Sequence, residues 1–135
     1  MIRWWYLIEG VNIMTDILIA IQPEYVEQIL NGNKQYEFRK VLPKIIPERM
    51  IIYCTAPVMA VVGVADIEAI IVDTPENIWQ LTNELGGVSS DFFFSYYKQS
   101  KKAFAYQLKN VEKYEPSKSL SDFGIRAAPQ SFVYL

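Results

Sequence analysis

Residues 32–40 read GNKQYEFRK and bring Lys34, Glu37 and Arg39 close together along the chain. The sequence holds no histidine, which removes the Ser-His-Asp and Cys-His nucleophile systems and the common zinc sites, since all of these use imidazole as base or ligand. Acid–base chemistry must then rest on Lys, Glu, Asp, Tyr, Ser or Thr, with a pKa moved by burial or by neighbouring charge. If QYEFRK is extended, side chains alternate: Gln35, Glu37 and Arg39 share one face, and Tyr36, Phe38 and Lys40 the other. The apolar pair is expected to turn into the core. Glu37 and Arg39 are then neighbours on the opposite face, and the stem of Lys34 can swing to the same side. Such a group can hold a phosphate or a base carbonyl with its cations and accept from an amino group with its carboxylate. The same spacing also describes an ordinary solvated hairpin face.

The elements that would position these residues can be read on either side. DILIAI at 16–21 is an apolar run suited to a buried strand. Pro23 suits the first position of a helix, Glu24 its positive end, and Val26, Ile29 and Leu30 its apolar face, with Asn31 and Gly32 as the stop. Arg49 to Thr55 is a further strand, broken by Pro57. VMAVVGVADIEAIIVD follows, too long for one flat strand, with Gly63 placed to bend or bulge it. Thr74-Pro75-Glu76 reads as the start of a helix carrying Ile78, Leu81 and Leu85 and ended by Gly86-Gly87. Ser89 or Ser90 caps a short helix over DFFFSYY, whose Phe92, Phe93, Phe94 and Tyr96 are expected to plug the core rather than stack on a ligand. Residues 102–114 alternate again, with Phe104, Tyr106 and Leu108 on one side, and SFVYL ends the chain as a last strand. Strands outnumber helices, no internal repeat or linker is visible, and one strand looks bent. The expectation is a mixed α/β (α+β) domain, a small β-barrel with short helices at its openings.

Composition agrees with a single folded domain: 135 residues, 51% hydrophobic and 14% aromatic. The single cysteine, Cys54, allows neither an intramolecular disulfide nor a cysteine metal cluster and suits a reducing cytoplasm. No cofactor and no metal are expected. The net charge of −2 is unevenly spread. Residues 34–49 carry five basic side chains against two acidic ones, and 98–118 six against two, whereas 50–97 have no Lys or Arg and six acids. If the two basic segments meet in space they form a positive surface suited to phosphate.

The opening MIRWWYLIEGVNI is interrupted by Glu9, lacks a small-residue cleavage site and is far short of a membrane helix, so no membrane partner is expected. Met14 stands just before the first strand, and Glu9-Gly10 can be encoded GAAGGA, like a bacterial ribosome-binding sequence. Residues 1–13 therefore read as an upstream extension, with 14–135 as the single domain.

The pattern Gly32-x-Lys34-x-x-Glu37-x-Arg39 directly after a short helix resembles the signature of the ASCH (activating signal cointegrator homology) family of the PUA-like superfamily. The likeness continues through IQPEY, IIYCTAP at 51–57, VVGVADIE at 61–68, FAYQL at 104–108 and APQSFVYL at 128–135. It implies a PUA-like β-barrel with the motif lining a cleft beside the first helix. Gly32 would make the turn, and Lys34, Glu37 and Arg39 would line the cleft. Lys40 would add a phosphate contact, and Thr55 and Ser131 further polar contacts. The resemblance implies RNA or modified-nucleotide binding, with a role in regulating transcription or translation.

An enzymatic branch resembles amidohydrolases that deacetylate N4-acetylcytidine, but it has a threonine nucleophile where this chain has Glu37. Another member resembles a ribonuclease, for which Lys34 and Glu37 could serve. Binding is thus the leading expectation, catalysis by Lys34 and Glu37 the alternative, and a protein-interaction module a third reading without a positive feature. A charged cleft is unlike the apolar centre of a protein interface.

Overall fold

The computed structural model describes residues 15–135, together with a short backbone pairing of β1 (Leu7–Ile8) with β2 (Val11–Asn12). The expected start at Met14 lies outside the described residues. Strand β3 (Asp16–Ile21) runs parallel to β5 (Arg49–Cys54), with Ile19 opposite Ile52. Both are apolar runs because the sheet is covered on both faces here. β5 pairs antiparallel with β6 (Ala60–Asp73), β6 with β7 (Ala103–Lys118) and β7 with β4 (Tyr36–Arg39). The other side of β3 carries β8 (Phe132–Tyr134). The order β4-β7-β6-β5-β3-β8 leaves β4 and β8 as edges.

The curl that turns this sheet into a half-barrel comes from β6. Its pairing with β7 slips at Val61/Gly63, at Val64/Asp66 and at Ile67/Ala69, and each slip adds local twist. Gly63 is needed at the sharpest approach: a Cβ there would lie 2.6 Å from the carbonyl oxygen of Glu112 on β7. The anticipated mixed α/β barrel with short helices is therefore the observed architecture.

Three helices complete it. α1 (Pro23–Leu30) lays Val26 and Ile29 on the inner core of Ile19, Ile21, Met50, Ile52, Tyr106 and Leu108. α2 (Pro75–Thr82) and α3 (Ser90–Tyr96) cover a second core of Phe38, Ile71, Ile78, Phe93 and Tyr97. On the outer face Leu18, Ile51, Tyr53 and Val61 are covered by Leu120, Phe123 and Ile125. Thr74 and Ser89 cap α2 and α3, each hydroxyl accepting a backbone N–H. The expected apolar face of the second helix needs correcting. Ile78 is buried, but Leu81 is 61% exposed and Leu85 also faces solvent. The α-helix stops at Thr82 and tightens into a 3-10 turn over Asn83–Leu85, so the i, i+4 row is broken before Leu85. Thr82 takes the buried place, its hydroxyl donating to the Ile78 carbonyl at 2.7 Å.

Candidate functional site

After α1 the chain turns at Gly32, whose φ of +88° is open to glycine and costly for other residues. The turn sends Lys34 inward, where it is only 2% exposed. Its Nζ donates to the carbonyl of Gly86 at 2.7 Å, stands 3.8 Å from Glu37 Oε1 and lies 4.6 Å from the centre of the Phe38 ring. The aliphatic stem lies on Gly87. A Cβ at that position would fall 2.6 Å from Lys34 Cβ and 2.8 Å from Cγ, so only glycine leaves the stem room. The Gly86-Gly87 pair, read from sequence as a helix stop, is thus the cradle of the lysine. A second glycine beyond the one a stop requires was the signal available. Burial pushes the Lys34 ammonium down from 10.5 to about 8; Glu37 opposes that shift and Arg39 adds to it.

Glu37 and Arg39 do share a face of β4, but it is the wall of a cleft rather than an open hairpin surface. Glu37 is 6% exposed. Its Oε2 accepts from Arg39 Nε at 3.0 Å and Nη2 at 2.6 Å, which leaves Oε1 toward Lys34. Arg39 also donates through Nη2 to the Ala20 carbonyl at 3.1 Å and through Nη1 to the Ser131 hydroxyl at 3.2 Å. It therefore spans the opening between edge strand β4 and the β3–β8 side. The Tyr97 hydroxyl fixes the end of β4 by donating to the Arg39 carbonyl at 2.8 Å, and burial holds its phenol well above the usual range, so it stays a donor.

These groups open into a cleft of about 380 Å³ lined by Lys34, Glu37, Arg39 and Thr55, with Pro129 and Gln130 from the C-terminal segment. Its aromatic lining is Tyr25, Phe38, Phe92, Phe93 and Tyr96, of which Phe38 and Phe93 are buried. Gly32, Lys40 and Ser131 are not among the lining residues. Gly32 makes the turn, Ser131 reaches the site through Arg39, and Lys40 lies outside with Nζ 4.5 Å from the centre of the Tyr96 ring.

The reading of residues 92–94 and 96 as core plugs is corrected in part. Phe93 is packed among Phe38, Trp79, Phe94 and Tyr97. Phe92, 42% exposed, and Tyr96 face the cleft instead, their rings parallel within 6° at 6.2 Å. The i, i+4 spacing carries both onto one side of α3, while Phe93, buried in the second core, reaches the cleft lining from its floor side. Tyr25 was missed entirely, because an aromatic residue early in an amphipathic helix reads as core. The two basic segments also meet in part: Arg39 is opposite Phe104, so Lys40 and Lys101-Lys102 leave the sheet at the same end. Lys109 and Lys113 lie farther along β7 and pair with Glu68 and Glu115. Among the described residues no group of three His, Cys, Asp or Glu side chains is placed to hold a metal ion, and no helix is long and apolar enough to cross a membrane.

A curled half-barrel whose first helix-to-strand turn sets a Lys-Glu-Arg row into the wall of a cleft defines a PUA-like domain. The chain belongs to the ASCH domain family, whose profile matches residues 19–118. It is 31% identical over 132 residues to the ASCH domain-containing ribonuclease of Zymomonas mobilis, covering 90% of this chain and 89% of that protein. The crystal structure of ASCH from Zymomonas mobilis overlays with a TM-score of 0.81 at 27% identity, covering 89% of this chain and 87% of that one. Over 120 residues the chain is also 32% identical to ATP synthase subunit alpha of Ureaplasma parvum, but it spans only 15% of that protein's length.

Proposed function

We propose that this protein binds single-stranded RNA and takes one nucleotide into the cleft at Lys34, Glu37 and Arg39. The observation that carries this reading is the buried Lys34–Glu37 pair, held by the half-buried Arg39, in an aromatic-lined cleft of about 380 Å³. A volume of that size lies within the range of small-ligand clefts, about 300–1,000 Å³. Lys34 supplies positive charge to a phosphate or a base carbonyl, and Glu37 Oε1, the oxygen that Arg39 leaves, accepts from an exocyclic amino group. Tyr25, whose ring centre is 5.7 Å from Lys34 Nζ, offers a face to the base. Arg39 spends most of its donors inside the protein, so its part is to hold Glu37 and the cleft opening. The nucleic-acid-related relative supports the same reading. We place the protein in the cytoplasm, where Cys54 stays reduced and RNA is at hand, and assign it a regulatory role there. Fluorescence anisotropy with labelled single-stranded RNA tests the binding: affinity is expected to fall steeply with salt, and Lys34→Met to weaken it about ten-fold or more. RNA affinity indifferent to Lys34→Met would overturn the proposal.

A second reading, cleavage of the bound RNA, draws on one specific feature. Lys34, brought to about 8, exchanges its proton near neutral pH. In its neutral form it takes the proton of a ribose 2′-hydroxyl, and that oxygen attacks the adjacent phosphorus. The bond from phosphorus to the 5′-oxygen breaks, and the leaving oxygen takes a proton from solvent. The products are a 2′,3′-cyclic phosphate and a 5′-hydroxyl. The test is RNA carrying a single 2′-deoxy residue, which should resist cleavage at that position alone; cleavage there regardless would remove this route. The amidohydrolase alternative needs a hydroxyl where Glu37 stands, and incubation with N4-acetylcytidine is expected to release no acetate.

A further inference from the structure

With the base of the inner nucleotide assigned to Tyr25, the outward parts of Phe92 and Tyr96 and the nearby Lys40 are left for a further contact. Phe92 and Tyr96 stand one helical turn apart on α3 with parallel rings, and Phe92 is packed on Tyr25 at 5.4 Å while 42% of it remains exposed. A large exposed aromatic at the rim of a polar cleft offers a flat face to a ligand ring. Lys40 sits over Tyr96, and among the described residues it has no carboxylate partner, unlike Lys34 and Arg39 inside. Lys101 and Lys102 leave the sheet at the same end as Lys40. The inner row is largely self-neutralised, its two cations facing Glu37, whereas the rim joins a stacking face to a positive charge that no carboxylate among the described residues pairs. That combination is the one by which proteins hold unpaired nucleotides: base on aromatic ring, phosphate on cation.

We propose that Phe92, Tyr96 and Lys40 form a second nucleotide subsite, holding the base and phosphate that flank the nucleotide inside the cleft. The ligand is then an oligonucleotide of two or more unpaired residues rather than a free nucleoside. This rests on the cleft binding a nucleotide, and the test separates the two claims. Affinities for adenosine 5′-monophosphate and for the dinucleotide ApA are measured by calorimetry for the intact protein and for Lys40→Ala, Phe92→Ala and Lys34→Met. The expected result is ApA bound about ten-fold or more tightly than the mononucleotide. Lys40→Ala removes most of that ratio without changing mononucleotide affinity, Phe92→Ala also lowers the ratio, and Lys34→Met weakens both ligands. Equal affinities for the two ligands, or a ratio untouched by Lys40→Ala and Phe92→Ala, overturn the subsite and leave the inner cleft standing. If neither ligand binds, both claims fall. Because Lys40 is exposed and Phe92 lies at the rim, both variants are expected to fold; circular dichroism superimposable on that of the parent verifies this.

Discussion

Arg39 on edge strand β4 donates to the hydroxyl of Ser131, which lies just before β8 at the other edge of the sheet, at 3.2 Å. The half-barrel is thus bridged across its open side by a side chain instead of a backbone ladder, and the bridge is also the wall of the cleft. The guanidinium does both because its fork reaches Glu37, Ala20 and Ser131 at once, which an ammonium on the same strand could not.

The bridge can be weighed by substitution. Ser131→Ala removes one partly exposed hydrogen bond and is expected to cost about 0.5–1 kcal/mol. Arg39→Met leaves Glu37 buried with only the 3.8 Å contact to Lys34 and is expected to cost about 2–3 kcal/mol. Urea unfolding of both variants measures this; equal, negligible losses would show that the bridge is ornamental.

Lys34 makes stability depend on pH in a calculable direction. Its pKa is about 8 folded against 10.5 unfolded. Below pH 8 both states are protonated, and the folded state carries the full cost of burying the ammonium. As pH rises from 8 toward 10.5 the folded lysine releases its proton first, and that cost disappears. The unfolding free energy of the parent, relative to Lys34→Met, should therefore rise over this window, by about 3 kcal/mol at most. The raised phenols of Tyr97 and Tyr106 act in the opposite direction above pH 10, but they are common to both proteins and cancel in the difference. A flat difference between pH 8 and 10 would show that Lys34 titrates normally. RNA affinity should fall over the same rise, as the cation is lost.

The two glycines flanking the site should behave differently. Gly32→Ala and Gly87→Ala both place a side chain at positive φ, +88° and +68°, at a cost of about 1–2 kcal/mol each. The Cβ at 32 meets open space, whereas the Cβ at 87 collides with the Lys34 stem. Gly32→Ala should keep RNA affinity, and Gly87→Ala should lose it to the extent that Lys34→Met does. Anisotropy on the two folded variants decides, and the same affinity in both would mean that Gly87 does not position the lysine.

The Phe92-Phe93-Phe94 run gives a stability contrast. Phe93→Ala empties a site ringed by aromatic side chains and should cost about 3–5 kcal/mol. Phe92→Ala removes a half-exposed ring in contact with Tyr25 and Tyr96 and should cost about 1 kcal/mol or less. Comparable losses in thermal unfolding would contradict the division of the run between core and cleft.

What could be read from the chain by itself was whatever depends on neighbours within about one helical turn or strand pleat. Pro23 and Thr74-Pro75 began helices, Ser89 capped one, Gly63 marked the bend of the long strand, and alternation put Glu37 and Arg39 on one face. The order of Gly32, Lys34, Glu37 and Arg39 was enough to bring the family into view before any fold was seen. Periodicity says which residues share a face, but not what covers that face. That Glu37 is buried in a cleft was decided by residues distant in sequence that line it: Tyr25 of α1, Phe92 and Tyr96 of α3, and Pro129 and Gln130 of the C-terminal segment. That Lys34 has a carbonyl partner was decided by Gly86, fifty-two residues away. That Arg39 bridges the sheet was decided by Ser131, ninety-two residues away. Leu85 lost its expected burial because a 3-10 turn over Asn83–Leu85 broke the helical period, and Leu81, still inside the α-helix, lost its own because the buried side of that helix is Ile78 and Thr82. Contacts of that separation carry no local pattern, since they arise only when the curled sheet brings distant segments together, and the cleft of this protein is made of them.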